Sequence, residues 1–117
     1  MTNSTHSSIL NDGLAMSQFA VLSEVTEMGP AISKSQRDSV NAYIELGLKE
    51  GADLVCGGVN NQSPGYWLTP TILDNCNNQM RVVQEEIFGP VLTSIPFSTE
   101  DEALQIANDI DYGLTGY

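Results

Sequence analysis

The side chains in this sequence whose types could do chemistry are two thiols, Cys56 and Cys76, one imidazole, His6, and the acidic pair Glu85-Glu86. A cysteine nucleophile needs an exposed thiolate beside a base and an oxyanion site. Cys56 closes the apolar run Leu54-Val55-Cys56, followed by Gly57-Gly58, a pattern that predicts a buried strand and an inert core thiol. Cys76 stands in the polar stretch Asp74-Asn75-Cys76-Asn77-Asn78, where the nearby Asp74 should raise its pKa. Neither suits a nucleophile, and no catalytic residue is assigned. The cysteines have no metal-ligand spacing with His6 and are too few for a disulfide framework, so no metal site is expected and a reduced, cytoplasmic setting fits. Read by type alone, Glu85 and Glu86 are solvated surface acids and Phe88 is core packing.

The charge is lopsided: 15 acidic residues stand against 4 basic ones, Lys34, Arg37, Lys49 and Arg81, for a formal net charge of −11. Phosphate backbones need clustered cations, so nucleic acid is excluded as a partner. No stretch is long enough to span a bilayer and the N-terminus has no basic start, so neither a membrane nor a secretory signal is expected. With 117 residues and 41% apolar content, one soluble core is the expectation. There is no Gly-x-Gly-x-x-Gly to seat a pyrophosphate, and Gly57-Gly58 does not substitute for one.

The elements that must position these groups follow from caps and periodicity. Residues 1–8 read as a frayed end, and Ile9 to Val25 permits a helix that Gly13 interrupts. Ser33-Lys34-Ser35-Gln36 is a capping box that starts a helix with Val40, Tyr43, Ile44 and Leu48 on one face. Glu45 and Lys49 form its exposed pair, and Gly51 is its left-handed cap. After the strand at Leu54-Val55-Cys56, the run from Tyr66 to Leu73 predicts another, which Pro70 demotes toward an edge. Met80 to Glu86 predicts one or two helical turns ended by Gly89-Pro90, and Val91 to Phe97 alternates as a strand. Thr99-Glu100-Asp101-Glu102 is a second capping box, ahead of a buried stripe of Ala103, Ile106, Ala107 and Ile110. The chain reaches Tyr117 just after residues that read as the start of another strand.

Several of these pieces recur in one order. Met28-Gly29-Pro30, Ile32-Ser33 with Gln36, Tyr43-Ile44, Glu50-Gly51-Ala52 and Leu54 to Gly58 come first, then Gly65-Tyr66 and Pro70-Thr71. Gln84-Glu85-Glu86-Ile87-Phe88-Gly89-Pro90-Val91, Ala107-Asn108-Asp109 and Tyr112-Gly113-Leu114 complete the set. In order and spacing it resembles the aldehyde dehydrogenases from about Thr26 to Tyr117, and the Glu-Glu-Ile-Phe-Gly-Pro run is its most specific part.

The resemblance implies a fold class, α/β, with an incomplete open α/β sheet and flanking helices. It divides the chain into a poorly defined N-terminal segment, 1–25, and a partial catalytic domain, 26–117. In that family a cysteine thiolate attacks an aldehyde, hydride passes to NAD or NADP, and a base-activated water releases the acid. Glu86 aligns with the glutamate that accepts from the nicotinamide ribose hydroxyls, and Phe88 with the aromatic beside the nicotinamide. A carboxylate can accept from two vicinal hydroxyls at once, which fixes the ring carrying the reacting carbon. The family's nucleophile motif and its Glu-Leu-Gly-Gly base motif do not occur in these 117 residues. The isolated chain is therefore expected to be inactive and to bind no cofactor tightly. The alternative is an interaction module that self-associates, or pairs with a complementary aldehyde dehydrogenase chain, through an exposed sheet edge.

Overall fold

In the computed structural model, which describes residues 27–62 and 64–114, Ser33 and Gly51 bracket helix α1 (Lys34–Glu50). The Ser33 hydroxyl accepts from the Gln36 amide, and Gly51, at φ +106°, closes the helix by donating its own amide back to the last turn. The capping box differs in one detail: the Gln36 side chain accepts from the amide of Ile32, not from that of Ser33. The frayed start, the helix expected before Val25 and the strand expected at Tyr117 lie outside the described residues.

One face of α1 is buried, but its composition differs from the expected stripe. Val40, Asn41, Ile44 and Gly47 are buried, Tyr43 is half-buried, and Leu48 is 40% exposed. Gly47 replaces Leu48 at the closest approach, since a side chain there would run into Leu73 and Val82. Glu45 and Lys49 are exposed, whereas the ion pairs on this helix, Lys34 and Arg37 with Asp38, lie at its other end.

Three strands follow: β1 (Asp53–Cys56), β2 (Thr71–Asp74) and β3 (Val91–Thr93), hydrogen-bonded in the order β1-β2-β3. The β1–β2 pairing is antiparallel, with a bulge at Val55, and β2–β3 is parallel. The result is the expected open α/β sheet with flanking helices.

Three strand expectations are corrected. The run from Tyr66 does not form a long edge strand: β2 starts only at Thr71 and is the central strand. Pro70 lies just ahead of it, where a missing amide costs no ladder bond, and Trp67 and Leu68 are buried in the loop instead. Pro90 stands the same way before β3, with its carbonyl accepting from the Thr71 amide at 2.9 Å. β3 ends at Thr93, short of the expected Phe97. The third correction concerns β1, whose Leu54 and Val55 are 45% and 54% exposed. It is an edge strand, not a buried one.

The short helix α2 (Arg81–Gln84) lies between β2 and β3. Glu50, at the end of α1, accepts from the amides of Arg81 and Val82 and so caps α2 across space. Helix α3 (Glu100–Asn108) is capped by Thr99, as expected, with acidic residues in its first turn. Its stripe is not buried: Ala103 and Ile106 are half-buried, while Ala107 and Ile110 are exposed. The rest of that face, Ala107 and Ile110, is open to solvent among the described residues.

The core has two clusters. Ala52, Leu73, Cys76, Met80 and Val82 form one, and Val40, Ile44 and Leu68 the other. Ile87 and Val91 pack against both and join them. Among the described residues no helix is long and apolar enough to cross a membrane, and no group of three or more His, Cys, Asp or Glu could hold a metal.

Candidate functional site

The two thiols exchange the environments expected of them. Cys56 is half-buried on the exposed β1, while Cys76, in its polar stretch, is 2% exposed within the core. The Cys76 thiol is pushed up from its ordinary pKa, chiefly by burial, with Asp74 a smaller cause. It is thus a protonated core thiol that donates toward the Leu73 carbonyl.

The segment from Glu85 to Pro90 is built differently. It forms the second half of the β2-to-β3 crossover, and its side chains divide by position. Glu85 is half-buried, Glu86 is exposed, Ile87 points into both core clusters and Phe88 is 72% exposed. Ile87 therefore acts as the plug that fixes the loop, and the two flanking residues project outward. The expectation that Phe88 is core packing is corrected: its backbone lies at φ +55°, in the left-handed region, and turns the ring away from the core.

Both flanks of Glu86 are tied to α1. On one side, Glu85 accepts from Tyr43 Oη at 2.8 Å and from Arg81 Nε at 2.6 Å. Glu85 is not the freely solvated acid expected from its type. On the other, the Phe88 carbonyl accepts from Gln36 Nε2 at 2.9 Å, and Gly89 lies against Val40. Gln36, Val40 and Tyr43 are spaced four and three residues apart and form one stripe of α1. From sequence Gln36 reads as a cap and Tyr43 as part of a core stripe; their partners lie 52 and 42 residues away.

The Tyr43–Glu85–Arg81 cluster makes the clamp pH-dependent. Arg81, and then Tyr43, hold the Glu85 carboxyl below the usual carboxylate range, while the bond to Glu85 holds the Tyr43 phenol above its ordinary value. The depressed carboxyl stabilises the fold above its unfolded pKa, and this contribution is lost as pH falls through the lowered value. The raised phenol stabilises below its unfolded pKa, and its contribution is lost as pH rises through the raised value. The stability difference between the chain and its Glu85→Gln variant should therefore shrink below about pH 4. Denaturant midpoints across pH measure it, and a difference that stays constant through the acid range would show that the carboxylate is not under load.

Glu86 and Phe88 thus offer an exposed carboxylate and an exposed ring two residues apart on a pinned loop. The carboxylate fits a pair of vicinal hydroxyls and the ring fits the face of a planar heterocycle.

The model of the aldehyde dehydrogenase family matches residues 13–117, a stretch that begins ahead of Thr26. A betaine aldehyde dehydrogenase from Bacillus subtilis is 50% identical over 95 residues, which make up 78% of this chain and 19% of that protein. Among solved structures, an aldehyde dehydrogenase from Mycobacterium tuberculosis complexed with NAD+ superposes with a TM-score of 0.72 at 48% identity, over 77% of this chain and 19% of that one. A betaine aldehyde dehydrogenase double mutant from Staphylococcus aureus in complex with NAD+ gives a TM-score of 0.73 at 44% identity, over 79% and 19%. The chain spans 19% of the length of the Bacillus relative.

Proposed function

Because the chain belongs to the aldehyde dehydrogenase family, we propose that it supplies the nicotinamide-ribose contact in an NAD- or NADP-dependent oxidation of aldehydes to carboxylic acids. Glu86 is the carboxylate that accepts from the ribose hydroxyls, and Phe88 is the aromatic wall beside the nicotinamide. The observation that carries this reading is the division of the loop: Ile87 is anchored in the core while the side chains on either side of it are exposed. The bound dinucleotide would supply the hydride acceptor. The chain's own residues orient its nicotinamide end, and no phosphate cradle accompanies them among the described residues. Relatives solved in complex with NAD+ support a nicotinamide dinucleotide as the cofactor. Both cysteines are free thiols, which suits a reduced, cytoplasmic setting.

The isolated chain is inactive on this reading, since it carries neither the family's nucleophile motif nor its base motif. The chain incubated with NAD or NADP and a panel of aldehydes should form no reduced dinucleotide above a protein-free blank. Mixed with a polypeptide carrying the remaining segments of the Bacillus relative, it should support turnover that Glu86→Gln lowers by roughly tenfold or more. Turnover by the chain alone, lost on Cys56→Ser or Cys76→Ser, would refute the assignment. The second reading is an interaction module, favoured by the uncovered stripe of α3 and by Leu92 and Phe97, exposed at 61% and 60%. It predicts association in the same mixture with no turnover, or self-association of the chain.

A further inference from the structure

Gln36 uses both ends of one side-chain amide. Its oxygen accepts from the Ile32 amide at 3.0 Å, completing the cap of α1, and its nitrogen donates to the Phe88 carbonyl at 2.9 Å. The acceptor on that second bond belongs to a residue held at φ +55°, a conformation that is strained for a residue other than glycine. A strained residue persists only where its surroundings over-determine it. The groups that fix Phe88 are the Ile87 side chain in the core, Gly89 against Val40, and the Gln36 amide; of these, only Gln36 binds the Phe88 peptide itself.

We infer that Gln36 is a positioning residue: its amide holds the Phe88 peptide in the left-handed conformation and thereby sets where the Glu86 carboxylate and the Phe88 ring are presented to a nicotinamide ribose. The inference rests on the reading of Glu86 and Phe88 given above. It goes further in tying the entry of α1 to the ligand-presenting loop through a single side chain. The Tyr43–Glu85 bond fixes the near flank of Glu86 and the Gln36–Phe88 bond the far flank, so the carboxylate stands between two points on one helix. Removing the far bond leaves that flank held only by the packing of Gly89 against Val40.

Gln36→Glu separates the two duties of the side chain. A carboxylate keeps an acceptor for the Ile32 amide near a helix N-terminus, where negative charge is favoured, but has no N–H for the Phe88 carbonyl. In the full chain, exchange of the Val91 and Thr71 amides, which donate to the Gly89 and Pro90 carbonyls at the end of the loop, should accelerate by roughly tenfold in Gln36→Glu, while exchange along α1 stays as it is. Unchanged exchange in the loop, or equal acceleration in α1, would overturn the inference and leave Gln36 a helix cap. In the complemented enzyme, Gln36→Glu should raise KM for NAD by roughly tenfold with kcat changed less, and Gln36→Met should behave alike because it too lacks the donor. A failure of the underlying reading looks different: Glu86→Gln would then leave KM for NAD untouched, while the loop exchange would still respond to Gln36.

Discussion

Gly57→Ala is expected to remove roughly 2–5 kcal/mol of stability, enough to abolish cooperative unfolding in a fold of this size. Gly57 stands at φ +81°, and a Cβ there would lie 2.2 Å from the Pro70 carbonyl oxygen and 2.7 Å from Thr71 Cα. Both contacts are with backbone, so no side-chain rotation relieves them. The Thr71 hydroxyl, 2.5 Å from the same point, is already committed: it accepts from the Gly58 amide and donates to the Thr69 carbonyl. The alternatives left to the chain are to lift the end of β1 from β2 or to displace the start of the central strand. Urea unfolding of the two proteins side by side is the measurement, and a loss under about 0.5 kcal/mol would mean that the β1 exit does not pass as close to Pro70 as described.

Gly89→Ala should cost about 1–3 kcal/mol although Gly89 itself is exposed, because the added methyl points inward. It would meet Val40 Cγ2 at 2.5 Å and Cγ1 at 2.9 Å, and Val40 is buried. Val40→Ala alone leaves a cavity and should cost about 2 kcal/mol. The combination makes room for the new methyl, so the double variant should be less destabilised than the sum of the two by about 1 kcal/mol or more. Additive losses in that cycle would show that loop and helix are not in contact at this point.

The local features of this fold could be read from sequence and the long-range ones could not. Ser33 and Thr99 announce helix starts because a cap is satisfied within three residues, and Gly51 announces a stop for the same reason. The apolar letters of Leu54 and Val55 show a strand but not whether anything covers it, and here β1 lies at the edge. Cys76 is surrounded in sequence by Asp and Asn, yet the turn after β2 drops its thiol between Leu73 and Met80 in the core cluster. Pro70 reads as an edge signal from its missing donor, and only the strand boundary at Thr71 shows that this donor was never needed. The exposure of Glu86 and Phe88 depends on Ile87 filling a space made by elements far apart in sequence. The Glu-Glu-Ile-Phe-Gly-Pro run can be read from sequence as one segment, but the attachments of its flanks to Gln36 and Tyr43 appear only in three dimensions.

The stripe of Gln36, Val40 and Tyr43 makes α1 a ruler. Its marks are set by the helical repeat of about 3.6 residues per turn, and the loop of Glu86 is cut to match them. An insertion or deletion of one residue between Gln36 and Tyr43 turns one mark about 100° away from the other. The helix itself would survive such a change, since its caps at Ser33 and Gly51 are local. The loop would keep a single attachment and lose its alignment. Length changes can be absorbed near the exposed Gln62, which lies outside any described helix or strand, but not within these two turns of α1. Among descendants of this sequence, drift in length should therefore stop at Ser33 and resume only after Gly51.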